Sequence, residues 1–79
     1  MRAITKVTIR EEAKGEAVTV YTTYNNNSND QGVHHEKNLG EALNELLKLK
    51  TNFYFPLKTD EYIHQTVKEG KLVRETVKL

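Results

Sequence analysis

Asn38-Leu39-Gly40-Glu41-Ala42-Leu43-Asn44-Glu45-Leu46-Leu47-Lys48-Leu49-Lys50 is the stretch whose period decides the fold. Leu39, Leu43, Leu46 and Leu47 recur at helical spacing with Ala42 beside them, while Glu41, Asn44, Glu45 and Lys48 fall on the opposite side. Asn38 is a good N-cap residue. Glu41, three positions on, completes a pair like a capping box, although the usual box begins with Ser or Thr. Lys48 and Lys50 place positive charge at the negative end of the helix dipole. The spacing therefore predicts a helix over 39–50. Its apolar stripe needs a surface to cover, and the flanking sequence offers only strands, so the stripe is expected to shield a sheet.

Upstream, Ala3-Ile4-Thr5-Lys6-Val7-Thr8-Ile9-Arg10 alternates with period two, which places Ala3, Thr5, Val7 and Ile9 on one face of a strand at 3–10. Charged residues and Gly15 between Glu11 and Glu16 read as a turn, and Ala17 to Tyr24 reads as the returning strand of a hairpin. Residues 25–32 contain nothing that can enter a core and read as a loop. A short third strand is expected at 33–37.

Downstream, Phe53-Tyr54-Phe55 before Pro56 reads as a fourth strand, at 53–57, on an edge or ending at the proline. The tail has two readings. Thr59 could cap a helix running to Lys68, with Gly70 as its stop. The favoured reading is a hairpin centred on Glu69-Gly70, with strands at 61–68 and 71–79. It pairs Val67 with Leu72, Glu61 with Lys78, His64 with Glu75 and Tyr62 with Val77.

These elements make one α+β domain over residues 1–79. An antiparallel sheet of five to six strands carries one helix on one face, in the order β-β-β-α-β-β-β. The expected core is Val7, Ile9, Val18, Val20, Leu39, Leu43, Leu46, Leu47, Phe53, Phe55, Ile63, Val73 and Val77.

Composition narrows function mainly by exclusion. A 79-residue chain buries only about 60% of its unfolded surface, so it has little free energy to spend on a strained catalytic site. There is no cysteine, which removes disulfides and thiolate metal sites and fits a reducing, cytoplasmic location. Lys+Arg 12 against Asp+Glu 11 gives a net charge of +1, too small to draw the whole chain to a polyanion. No apolar run approaches a membrane span, and Met1 to Lys6 lacks the apolar region of a secretory signal.

His34 and Glu36 share a strand face, and His64 could approach them from the C-terminal half. Two imidazoles and a carboxylate would suit zinc, but nothing in their spacing makes them converge. Asn25, Asn27, Asn29 and Glu36 echo a calcium loop that fails at its sixth position, where Asp30 replaces glycine. Ser28 is the only serine, the adjacent acids Glu11-Glu12 and Asp60-Glu61 diverge on a strand, and the four glycines are scattered. No catalytic residues, metal or small-molecule cofactor are expected.

Binding remains. Tyr54, Tyr62 and one of Tyr21 and Tyr24 are expected at the surface, where tyrosine buries area at little rotamer cost. Val77 and Leu79 would either complete the domain's own core or lie on an edge strand that pairs with a second copy or a partner. The first function expected is that of a non-enzymatic accessory or inhibitor-type protein, of phage or mobile-element size, working through protein contacts or self-association. The alternative is nucleic-acid binding by the first hairpin, with Arg2, Lys6, Arg10 and His34 near phosphates, although Glu11, Glu12 and Glu16 sit at the end of that face. Three strands followed by a helix over residues 1–50 resembles, in element order alone, the arm-type DNA-binding domains of tyrosine recombinases.

Overall fold

The computed structural model describes residues 2–11, 17–25 and 31–79. The expected turn at 11–16 and loop at 25–32 fall mostly outside those residues. Six elements follow in order: β1 Ile4–Glu11, β2 Val18–Tyr24, β3 Gln31–Glu36, α1 Leu39–Lys50, β4 Glu61–Lys68 and β5 Lys71–Lys78. The strands form one sheet in the order β3-β2-β1-β4-β5.

The helix has the expected limits. Asn38 has extended backbone, and its Oδ1 accepts the Glu41 amide at 2.9 Å. At the other end, Thr51 N–H donates to the Lys48 carbonyl and Asn52 N–H to that of Leu49, each at 3.1 Å. The C-terminal hairpin also forms with the expected register, from Glu61↔Lys78 through Tyr62↔Val77 and His64↔Glu75 to Val67↔Leu72. Glu69 and Gly70 both have positive φ, 53° and 74°, as a two-residue turn between twisted strands requires. The helical alternative for 59–69 is not adopted.

The sheet is mixed, which corrects the antiparallel expectation. β1 pairs with β4 in parallel from Thr8↔Ile63 to Glu11↔Thr66. Residues 53–57 are not a strand; Leu57 makes only an isolated bridge to Ile4. β3 is antiparallel to β2 and so runs with β1, the crossover through α1 brings β4 back in that same direction, and the Ile4↔Leu57 bridge is likewise parallel.

A bulge between Ile4 and Lys6 makes a further correction. The extra residue is Thr5, which is exposed, and Ile4 takes the inward position beside Val7 and Ile9 at 1% exposure. The core comprises Ile4, Val7, Ile9, Val18, Val20, Ala42, Leu46, Leu57 and Tyr62, with Tyr24, Leu39, Leu43, Leu49, Val77 and Leu79 packed against it. Five expected core residues are outside: Leu47, Phe53 and Phe55 are exposed, and Ile63, on the opposite face, and Val73 do not pack against the cluster. Ile63 and Val73 are half-buried.

Leu47 is exposed because α1 packs over β1, β2 and β3 and makes no backbone approach to β4 or β5. Its flank of the helix borders an open groove shared with Leu43, Tyr62, Lys78 and Leu79 rather than a packed contact. Among the described residues, no helix is long and apolar enough to cross a membrane.

Candidate functional site

Directly paired residues share a face of a sheet, so the registers divide the side chains into two sets. The pairs Val7↔Thr22, Ile9↔Val20 and Val20↔His34 lie on the helix side. The pairs Thr8↔Tyr21, Arg10↔Thr19 and Tyr21↔Val33 lie on the side no helix covers. Three surface features result.

The first is the connection from α1 to β4. Phe53, Tyr54 and Phe55 are 81%, 73% and 44% exposed, consecutive aromatics where a core strand was expected. Asn52 explains the reversal. Its Oδ1 accepts the amides of both Tyr54 (2.8 Å) and Phe55 (2.9 Å), so the chain turns tightly instead of extending. The turn is held at its far end: Ile4 N–H donates to the Pro56 carbonyl at 2.9 Å, Leu57 N–H to Leu49 at 3.0 Å and Lys58 N–H to Ile4 at 2.8 Å. Buried Leu57 anchors it. The Phe53 and Tyr54 rings meet edge to face at 5.6 Å. The Arg2 guanidinium lies 4.2 Å from the Tyr24 ring centroid and 5.9 Å from that of Phe55.

The second is the open face of the sheet. A transverse row crosses all five strands: His35, Thr19, Arg10, Gln65 and Arg74. Thr19 Oγ1 and His35 Nδ1 are 3.3 Å apart. The next row is Val33, Tyr21, Thr8, Ile63 and Thr76. Lys6 and Lys78 take this face by alternation along their strands, as does Glu61 opposite Lys78.

The third is the helix side. A pocket between β3 and α1 is lined by Val20, Thr22, His34, Glu36, Glu45 and Leu46 among others. His34 and Glu36 share this face, but His64 lies on β4, three strand spacings or about 14 Å away, so the structure does not bring the three together. His64 Nε2 instead sits 3.9 Å from Glu11 Oε1 and, like the buried Thr22 hydroxyl, has no hydrogen-bond partner. Among the described residues, no cluster of three His, Asp or Glu side chains can hold a metal ion.

Among the described residues, Asp60 and Tyr62 depart from their ordinary values. A hydrogen bond from Lys50, and the charge behind it, hold the Asp60 carboxyl low; Lys78 adds to this. Burial pushes the Tyr62 phenol up.

The expected contact residues scatter accordingly. Tyr54 is at the surface, but Tyr62 is 6% exposed, which corrects its expected exposure. Tyr21 is half-buried on the open face, Tyr24 packs against the core, and Val77 and Leu79 pack there too. Of the four proposed phosphate contacts, Lys6 and Arg10 share the open face, while Arg2 stacks on Tyr24 and His34 lies on the helix side. Phe53 and Phe55 went unrecognised as surface residues. The signal was present in Asn52 before them and Pro56 after, a turn former and a strand breaker only four residues apart. Comparison with protein-family models, curated proteins and solved structures finds no match.

Proposed function

We propose that this chain is a non-enzymatic binding protein whose principal contact is the aromatic turn Phe53-Tyr54-Phe55, and that its partner is another protein. The supporting observation is exposure combined with fixation. Three large rings stand in water on a turn bound at both ends by backbone hydrogen bonds and by Leu57 in the core. Exposed aromatics carry a solvation cost that a purely structural turn has no reason to bear, and aromatic anchors dominate the energetics of protein interfaces. A turn already held in shape loses little conformational entropy on binding, so more of the contact energy becomes affinity.

The test compares the wild type with the Phe53→Ala/Tyr54→Ala double variant in affinity capture from host lysate, with light scattering on each to register self-association. The substituted rings lie outside the core, so thermal stability should be unchanged. A partner, or a dimer, present with the wild type and lost with the variant supports the reading. Capture and mass that are indifferent to the substitutions refute it.

A further inference from the structure

Charge on this molecule is segregated in a way the net value of +1 conceals. Among the described strands, Lys6, Arg10, Arg74 and Lys78 occupy the open face with Glu61 as its only acid, which leaves the remainder of the chain net negative. β1 and β5 each carry two of the cations, four residues apart, and the registers place Arg10 and Arg74 on either side of Gln65. The cations therefore mark the corners of a rectangle of about 10 by 13 Å, two strand spacings by four residue rises. The middle strand, β4, runs between the two basic rows. Half-buried Ile63 lies at the centre of this rectangle, and the other apolar strand residues on the face, Val33, Val67 and Leu72, lie toward its margins, each at least half exposed.

We infer that the open face is a binding surface for duplex DNA, separate from the aromatic turn and independent of the reading given to it. Two parallel rows of cations, with Glu61, Ile63 and Gln65 of β4 between them, match two phosphate backbones flanking a groove. The B-form major groove, about 12 Å wide, admits β-structure, and the long arms of Lys and Arg span the small difference. Gln65, midway between the arginines, is placed to meet a base edge, its amide being suited to adenine. A single strand fits less well: among the described strand residues Tyr21 is the only ring on this face besides His35, and it is half-buried, a poor platform for stacking. An A-form helix fits less well because its major groove is too narrow to enter. The first hairpin is thus only part of the surface. Arg2 and His34 do not belong to it, whereas Arg74, Lys78 and Gln65, from the C-terminal hairpin, do.

The test is fluorescence anisotropy with a short labelled duplex of mixed sequence, titrated across salt concentrations. Four phosphate contacts at about 0.9 released counterions each predict a slope of log K against log salt of about −3 to −4. Arg74→Ala should flatten that slope by about one, and Arg74→Glu should weaken binding further. Lys48→Glu, an equal charge change on the helix surface, should have less effect than Arg74→Glu. The single-stranded form should bind more weakly than the duplex. No binding at low salt overturns the inference, as does binding that ignores Arg74 or responds equally to Lys48. Displacement of the duplex by polyglutamate at equal charge concentration also overturns it, by reducing the face to a general cation surface. The Phe53→Ala/Tyr54→Ala variant should keep its duplex affinity, so the two surfaces can fail separately.

Discussion

The β1–β2 hairpin and the β4–β5 hairpin are built from similar residues and end very differently. Both alternate β-branched with polar side chains, and both pair in the antiparallel sense. In the first, Val7, Ile9, Val18 and Val20 are 5% exposed or less. In the second, only Tyr62 is buried, and Val73 and Val77, on the same side of the sheet, are half-buried. The difference lies in the third layer. The helix approaches the backbones of β1 to β3, and it reaches β4 and β5 only through side chains at one end, at Tyr62, Val77 and Leu79. Alternation states which side of a sheet a residue takes; it does not state whether anything lies on that side.

Substitutions can break this contrast, beginning with the greatest effect. Leu46→Ala empties the point where the helix meets the covered strands and should cost about 2–5 kcal/mol, a large part of the stability of so small a domain. Val73→Ala, on the helix side of β5, should cost about 1 kcal/mol or less, because half of that side chain is hydrated already. Urea denaturation of both variants measures the contrast directly, and equal losses would show that the two hairpins share one level of cover.

Gly32→Ala probes the covered half at its edge. A Cβ there would lie 2.4 Å from Thr22 Oγ1, which is itself enclosed, so strain of about 1–3 kcal/mol is expected. Thr22→Ala in the same chain should recover part of that loss, and a double-mutant cycle would register the coupling. Gly70→Ala probes the uncovered half. No atom obstructs a Cβ at this position, yet its φ of +74° should cost about 1–2 kcal/mol, from backbone preference alone.

The smallest effect concerns Lys50 and Asp60. The folded state depresses the Asp60 pKa, so its contribution to stability is present above the ordinary carboxylate range and disappears as pH falls through the lower folded value. Lys50→Gln should therefore lower the urea midpoint slightly at neutral pH, with the gap to the wild type closing below about pH 4. A constant gap would mean that Lys50 acts through packing of its methylenes.

Local rules carried the reading where neighbours along the chain decide the outcome. The helix limits follow from Asn38, Glu41 and the lysines, and the pairing of β4 with β5 follows from a two-residue turn that leaves one register open. The failures are of other kinds. The Thr5 bulge depends on what Ile4 meets across space, since Thr5 itself suits a strand. Phe53 and Phe55 were assigned to the core on side-chain type, while Asn52, a single acceptor, had already turned the backbone away. Of the two surfaces, Tyr54, Lys6 and Arg10 were legible early. Arg74 and Gln65 were not, because a face is assembled by pairing between distant segments and no window along the chain contains it.

The parallel seam between β1 and β4 joins parts of the chain that are far apart in sequence, whereas β4 and β5 meet across a two-residue turn. The C-terminal ribbon can therefore zip up by itself, early and locally, while its attachment waits for the rest of the polypeptide to be in place. In the finished molecule the amide protons bonded across that seam should exchange before those bonded between β1 and β2, without global unfolding.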